Sequence, residues 1–186
     1  CSGCVHAVRI RDSVGLCPFC RTPTPLLEEM IERYKKRVEL GDAVAMFEMG
    51  NYYYHGMYGL PQNRVKALEL WHRAGELGNA AAYFNIGIAY DLGNGVERDE
   101  EKTNNYYELA AMGGDVDARY NLGVFEVQAD NLDRALKHFM IAASFGDNGS
   151  LKTIQEMFKN GDATKEDYTQ ALRVYQAYLD DIKSPQ

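Results

Sequence analysis

Small and apolar residues recur along most of the chain with a period far longer than that of a single helix. The segments that begin at Gly41, Gly78 and Gly114 each carry alanine four residues later and glycine nine residues later, so the pattern repeats after 37 and then 36 residues. The positions that stay in phase are Ala45, Ala82 and Ala118; Gly50, Gly87 and Gly123; Trp71, Tyr107 and Phe139; and Ala74, Ala110 and Ala142. A period of this length is typical of arrays in which each unit is a pair of helices that buries its apolar face by stacking on its neighbours.

Each unit predicts two helices with polar caps. In the first unit Asp42 caps a helix that runs to about Tyr54, and Asn63 caps a second helix that runs to about Leu77. Asp99 is the corresponding second cap in the next unit. Glycine inside a helix costs about 1 kcal/mol relative to alanine. The glycine column therefore predicts places where two helices approach too closely for a side chain.

A degenerate fourth unit is predicted to end the array, beginning at Gly146. It keeps Gly161 in its loop and has Thr164 with Asp167 as a cap pair, but Tyr178 takes the small-residue column. A terminal unit has no successor to pack against, so it tolerates bulk at that position.

One further helix is predicted before the first unit. Its apolar residues recur at helical spacing and form one stripe; they are Leu27, Met30, Ile31, Tyr34 and Val38. Thr24 is its N-cap, Pro25 is its first residue, and it runs to about Leu40. This helix is expected to cover the first unit. Residues 21–25 contain two prolines, which keep the backbone extended and indicate a domain boundary.

The composition is that of an ordinary globular chain. Its 186 residues are 46% hydrophobic and 25% charged, and no apolar run is long enough to span a membrane. The net charge is −7, and the residues after position 25 carry 17 basic against 26 acidic side chains. Since nucleic-acid binding draws on clustered basic residues, DNA and RNA are not expected as partners. The sequence predicts a cytoplasmic or nucleocytoplasmic protein, with an upstream targeting signal left open because the first residue is Cys1.

All four cysteines lie in the first 20 residues as two C-x2-C pairs, Cys1 with Cys4 and Cys17 with Cys20. Each pair directs two thiolates at one metal, and four sulfur ligands suit tetrahedral zinc. These four residues are therefore the predicted ligands of structural zinc. A disulfide fits less well in a chain without a secretory signal, and a redox pair expects a strand and helix context that is missing here. His6 is interpreted as a surface residue.

The segment Cys17-Pro-Phe-Cys-Arg21 resembles the closing knuckle of a RING finger, and Cys1-Ser-Gly-Cys4 resembles the cysteine pair before it. In that family the ligands are cross-braced, so the two pairs would serve different zinc ions with partners from further upstream, which these 186 residues lack. The resemblance implies recruitment of a ubiquitin-conjugating enzyme charged with ubiquitin, without a covalent intermediate. Pro18 matches the proline that packs on the conjugating enzyme, and Arg21 matches the basic residue that bridges that enzyme and ubiquitin. Arg21 as a simple exposed residue stays open as an alternative.

The repeat columns resemble the Sel-1-like repeat, a relative of the tetratricopeptide repeat with a longer inner loop. The match covers about residues 41–183. It implies an all-α fold, a right-handed superhelical solenoid of antiparallel helix pairs, used as an adaptor that gathers other proteins. Tyrosines in phase with the repeat are expected to pack between helices. Tyr52 and Tyr54 are out of phase and are candidates for partner contacts on the concave face.

The repeats contain no arrangement of residues that predicts catalysis, and no catalytic residue is assigned. His55, His72 and His138 lie on separate units and are interpreted as surface residues. An enzyme is therefore expected only in the sense of a RING-type ligase, if the full-length protein has a complete RING.

The predicted organisation has three parts. They are a partial RING-type zinc module over residues 1–21, a linker and capping helix over 22–40, and a repeat array over 41–183 with units of about 41–77, 78–113, 114–145 and 146–183. The favoured function is a protein-interaction scaffold attached to a RING-type zinc finger, in a ubiquitin-protein ligase that holds its substrate at high effective concentration. The alternative is a non-enzymatic adaptor with a degenerate structural zinc knuckle.

Overall fold

The computed structural model describes residues 27–183, and all the regular structure in that range is helical. The helices are α1 (Leu27–Glu39), α2 (Ala43–His55), α3 (Arg64–Glu76), α4 (Ala80–Leu92), α5 (Glu100–Met112), α6 (Val116–Gln128), α7 (Leu132–Ser144), α8 (Asn148–Asn160) and α9 (Lys165–Lys183). Helices α2 to α9 form four consecutive pairs, each pair packs on the next, and α1 packs on α2. Because short turns join successive helices, neighbours run antiparallel. The all-α array and the covering helix are confirmed, whereas the predicted cap Thr24 and Pro25 lie outside the described residues.

Polar side chains start the helices where the sequence predicts them. Asp42 Oδ1 accepts from the backbone N–H of Ala45 at 3.1 Å, which caps α2. Asn63 caps α3 and Asp99 caps α5 through the same contact to the N–H three residues later. These bonds satisfy backbone donors that a helix cannot pair internally, which is typically worth about 1 kcal/mol per cap.

The cap pair predicted for the last helix is present as a reciprocal contact. The Asp167 backbone N–H donates to Thr164 Oγ1 at 3.1 Å, and the Thr164 backbone N–H donates to Asp167 Oδ2 at 2.9 Å. The turn before it contains Gly161 at a φ of 89°, a left-handed conformation that costs any residue with a Cβ about 1 kcal/mol or more.

The glycine column makes room for aromatic rings. A Cβ atom at Gly87 would lie 2.6 Å from the ring of Tyr107, which projects from α5, the partner of α4. Gly50 stands in the same relation to Trp71 and Gly123 to Phe139; the aromatic side chains of this column in these three pairs are at most 2% exposed. The predicted close approach is confirmed, but the group that fills the space is a side chain of the paired helix and not its backbone.

The fourth pair lacks this fit. Gln155 takes the glycine position, and Tyr175, in the aromatic column, is only half-buried. Helix α9 packs about as extensively on α7 as on its own partner α8. Tyr178 is turned back onto Gly146, where any side chain would collide with its ring. The bulky residue predicted for a terminal unit therefore closes the turn between α7 and α8.

Candidate partner-binding surfaces

Tyr52 lies in an aromatic cluster between α1, α2 and the loop that follows α2. Its ring meets Tyr34 edge-on with centroids 5.6 Å apart and Tyr58 with centroids 4.7 Å apart. Burial, followed by a hydrogen bond with Tyr34, raises the pKa of Tyr52 above its usual value. The side chain is only 8% exposed. Tyr52 therefore has almost no exposed side chain with which to make the predicted partner contact. This tyrosine is outside the repeat phase and packs on the covering helix α1.

Tyr54 keeps a half-buried side chain on the same helix. Its ring centroid lies 5.0 Å from that of Trp71 and 5.0 Å from that of His55, and the Arg64 guanidinium carbon lies 5.6 Å from the ring centroid. An aromatic ring that is fixed by neighbours and partly exposed presents contact area at little entropic cost. Partner contact by Tyr54 stays a prediction.

A basic residue at the start of the second helix lies over an aromatic ring of the first helix in two pairs. Lys66 Nζ is 4.3 Å from the centroid of Tyr53, and Lys102 Nζ is 5.1 Å from that of Tyr90. In the third pair the same two positions form an ion pair, Arg134 with Glu126 at 2.7 Å. Such contacts are each worth on the order of 0.5–1 kcal/mol at exposed sites. They fix the two helices of a pair near their loop.

His72 and His138 lie in contacts between successive pairs. The His72 ring meets Tyr106 of the next pair edge-on with centroids 5.4 Å apart, and burial lowers the pKa of His72. Burial, with Arg119 nearby, also lowers the pKa of His138, whose Nδ1 is buried and has no hydrogen-bond partner among the described residues. The interpretation of these two histidines as surface residues is corrected, because each is half-buried where one unit stacks on the next.

An exposed apolar row follows one edge of the array. We call it the apolar edge; it consists of Leu40, Leu77, Met112 and Phe145, which are 85%, 56%, 82% and 58% exposed. Leu40 lies in the turn from α1 to α2, and the other three lie where one pair turns into the next. In an antiparallel array all these turns lie at the same end of the helices. Apolar side chains aligned in this way indicate a protein contact more strongly than scattered ones. Each lies one or two residues before the first glycine of a unit, but the sequence pattern alone does not show that these positions are exposed.

Neither a metal cluster nor a membrane helix is present in residues 27–183. No three His, Cys, Asp or Glu side chains in this range come together to hold a metal. In the same range no helix is long and apolar enough to cross a membrane.

Comparison with known proteins identifies the repeat. The Sel1 repeat family matches residues 43–79 and 80–115, which correspond to the first two pairs of the array. Residues 43–115 therefore carry two Sel1 repeats. The resemblance inferred from the glycine, alanine and aromatic columns is thereby confirmed for residues 43–115.

Solved structures of Sel1-repeat proteins share the architecture. A Sel1 repeat protein from Oxalobacter formigenes superposes with a TM-score of 0.71 at 29% identity over 82% of this chain and 64% of its own. The protective antigen c5321 of uropathogenic Escherichia coli, described as displaying an SLR fold, superposes with a TM-score of 0.69 at 27% identity over 81% of this chain and 33% of its own. The Sel1 array is thus a solenoid of helix pairs.

Two relatives are much longer proteins. The ERAD-associated E3 ubiquitin-protein ligase component HRD3B of Arabidopsis thaliana is 30% identical over 112 residues, 60% of this chain and 17% of the relative. Chitin synthase regulatory factor 1 of Schizosaccharomyces pombe is 30% identical over 101 residues, 53% of this chain and 22% of the relative. The chain therefore spans about a fifth of the length of these relatives.

Sel1-repeat proteins bind other proteins in general. The predicted zinc ligands Cys1, Cys4, Cys17 and Cys20 and the predicted conjugating-enzyme contacts Pro18 and Arg21 lie outside the described residues. The zinc module and its RING character remain predictions.

Proposed function

We propose that the Sel1 array holds a protein partner beside a zinc module formed by the N-terminal cysteines, as part of a ubiquitin-protein ligase. The observation that carries this proposal is the sequence of the first 21 residues, in which two C-x2-C pairs end in the knuckle Cys17-Pro-Phe-Cys-Arg21. The similarity of the chain to HRD3B, by its name a component of a ubiquitin-protein ligase, supports the same kind of assembly.

The donor set fits zinc. Cys1, Cys4, Cys17 and Cys20 offer four thiolates, the ligands typical of closed structural zinc sites. Bound zinc would be structural, because four sulfur ligands leave no position for water or substrate. In the cross-braced arrangement each pair holds a different ion together with further ligands, and in a closed arrangement the four hold one ion.

In the proposed ligase the module and the array have separate tasks. Pro18 packs on a conjugating enzyme, and the Arg21 guanidinium donates to carbonyl oxygens of both that enzyme and ubiquitin, which restricts the pair to its reactive arrangement. The array, through Tyr54 and the apolar edge, binds the protein that receives ubiquitin. Holding both on one chain raises the effective concentration of the acceptor lysine.

The test is discharge of ubiquitin from a charged conjugating enzyme onto free lysine, with and without the zinc-loaded chain extended upstream of Cys1, so that a cross-braced module can have its further ligands. We expect faster discharge in the presence of the chain. Arg21→Ala should slow it about tenfold, which corresponds to about 1.4 kcal/mol of lost transition-state stabilisation. Arg33→Ala is the matched control, since Arg33 is an exposed arginine on α1. No acceleration by the chain, or equal effects of the two substitutions, would contradict the proposal.

The second candidate function is a non-enzymatic adaptor with a structural zinc knuckle. It is favoured by the fact that the four cysteines alone suffice to close one tetrahedral site. Native mass spectrometry of the chain under reducing conditions separates the two. One tightly held zinc per monomer supports the adaptor, whereas zinc that is absent from the monomer, or held only when copies combine, supports half-sites of a cross-braced module.

A further inference from the structure

The last helix of the array exposes a face that the earlier pairs cover. In the repeat alignment Leu172, Gln176 and Leu179 of α9 correspond to Leu68, His72 and Gly75 of α3. We call Leu172, Gln176 and Leu179 the open face of α9. Its counterpart on α3 shows what a covered face looks like.

On α3 the corresponding face is covered by the following pair. A Cβ at Gly75 would lie 2.5 Å from the Tyr83 ring of α4, and His72 meets Tyr106 of α5. Leu68 on the same helix is 6% exposed. This face of a second helix is thus the surface on which the next unit stacks.

On α9 two of the three positions, Leu172 and Gln176, stay exposed, and Leu179 is half-buried. Leu172 is 43% exposed, compared with 6% for Leu68, and Ile182 further along the helix is 59% exposed. Within residues 27–183, α9 packs on α7 and α8. Leu179 also places a large apolar side chain where α3 has glycine. The open face therefore carries two leucines beside Gln176 and has no covering helix among the described residues.

The charged residues beside the open face can pair with the same residues of a second copy of the chain. Arg173 and Asp180 are both exposed, and they lie seven residues apart, about two helical turns, so they share one flank of α9. Neither forms an ion pair with another described residue, although Asp180 Oδ1 accepts a hydrogen bond from Gln176 Nε2 at 2.8 Å. If two α9 helices cross antiparallel with a two-fold axis near Gln176, Arg173 of each copy lies opposite Asp180 of the other.

The same axis places Leu172 of each copy close to Leu179 of the other. A two-fold contact uses one patch twice, so a patch must match itself in both apolar and charged positions. The open face of α9 meets both conditions at a single axis.

We propose that the open face of α9 binds the open face of a second copy of this chain, so that two arrays join end to end through their last helices. The stacking that covers each inner pair then continues from one copy into the other. This inference is independent of the zinc module and of the proposed ligase.

The test is sedimentation velocity of the 186-residue chain at about 1 to 100 μM under reducing conditions. We expect a reversible dimer. Arg173→Asp and Asp180→Arg should each weaken it at least about tenfold, because each places two like-charged pairs across the axis. The double variant Arg173→Asp/Asp180→Arg restores opposite charges and should return the dissociation constant to within about threefold of the original.

Two further variants keep the test specific. Lys36→Asp reverses an exposed charge on α1, at the other end of the array, and should leave the dimer unchanged. Leu172→Asp should abolish the dimer without loss of the far-UV circular dichroism signal, since the side chain is already 43% exposed.

Three results would overturn the proposal. One is a chain that stays monomeric over the whole range. Another is a dimer that none of the α9 variants weakens, which would indicate contact elsewhere, as through the N-terminal cysteines. The third is a dimer that the single reversals weaken and the double reversal does not restore, because antiparallel pairing of Arg173 with Asp180 requires recovery.

Discussion

The first three pairs of the array and the fourth pair solve the same packing problem with different success. In the first three, a glycine on the first helix receives an aromatic ring from the second, as Gly87 receives Tyr107. In the fourth, Gln155 replaces glycine and Tyr175 is left half-buried. Helix α9 then divides its packing between α7 and α8. All four pairs form their helices equally well. The first three are therefore distinguished by the fit of an aromatic side chain of the second helix against a glycine of the first.

The largest expected effect comes from emptying the aromatic column. Phe139→Ala removes a side chain that is 0% exposed and should lower the free energy of unfolding by about 4 kcal/mol, in the range for buried phenylalanine. Tyr175→Ala in the fourth pair should cost less than half as much, because that ring is only half-buried. Urea unfolding followed by circular dichroism measures both. Equal losses would mean that the fourth pair is packed as tightly as the third.

The glycine position offers the converse test. Gly87→Leu forces a side chain against the Tyr107 ring, which lies 2.6 Å from where the Cβ would be, and should destabilise by about 3 kcal/mol despite the better helix propensity of leucine. Gln155→Leu, at the same position in the fourth pair, should change stability by less than about 0.5 kcal/mol. Thermal unfolding of the two variants in parallel gives the answer. If Gly87→Leu leaves stability unchanged, the Tyr107 ring is free to move, and its fit against Gly87 does not hold the two helices of the pair together.

The fourth unit also differs from the first three at the position where they carry a buried alanine, and here the fourth unit is expected to gain stability from a substitution. Ala45, Ala82 and Ala118 are fully buried, and Ser150 takes their place in the fourth unit with its Oγ buried and unpartnered among the described residues. Ser150→Ala should therefore stabilise the chain by about 1 kcal/mol, the lower end of the penalty for an unsatisfied buried hydroxyl. Ala118→Ser is the matched reverse change and should destabilise. A fall in urea midpoint for Ser150→Ala would show that the hydroxyl has a partner.

The smallest expected effect concerns pH. His138, between the second and third pairs, has a pKa lowered from 6.5 mainly by burial and next by Arg119; Glu126, Arg134 and Glu108 also act on it. The folded state thus binds fewer protons than the unfolded state between the lowered pKa and 6.5, and stability falls as pH falls through that window. Val174 takes the position of His138 in α9, so the contact between the third and fourth pairs lacks this dependence of stability on pH.

The measurement for His138 is the melting temperature between about pH 7.5 and pH 5.5. As the pH falls, the melting temperature of the wild-type chain should drop more than that of His138→Gln, which lacks the titrating group. His55→Gln, a change at an exposed histidine, is the control. Parallel pH profiles for the wild-type chain and His138→Gln would remove this histidine from the account.

Local signals predicted the helices well. Asp42, Asn63 and Asp99 cap the helices that the sequence assigns to them, because a cap and the N–H that it accepts from lie within three residues. Gly161 adopts the left-handed conformation expected of a loop glycine. The repeat period also indicated which helices form a pair, because equivalent helices recur at equivalent positions in successive units.

Contacts between helices were harder to foresee. The repeat phase does not show that Tyr52 packs between Tyr34 and Tyr58, since Tyr34 comes from α1, before the repeats, and Tyr58 from the loop after α2. It likewise does not show that Lys66 lies over Tyr53, because that contact depends on how two helices are rotated about their axes. The apolar edge was visible as a column before each glycine, but only exposure in the folded array gives that column a meaning.

The most direct test of the difference between inner and terminal pairs is hydrogen exchange followed by mass spectrometry, at a concentration low enough to keep the chain monomeric. Exchange protection reports local opening, and helices with few buried contacts open first. The account predicts that peptides from α5 and α7 are the slowest to exchange and that residues 176–183 of α9 are among the fastest in the array. Protection of α9 equal to that of α5 and α7 would contradict it.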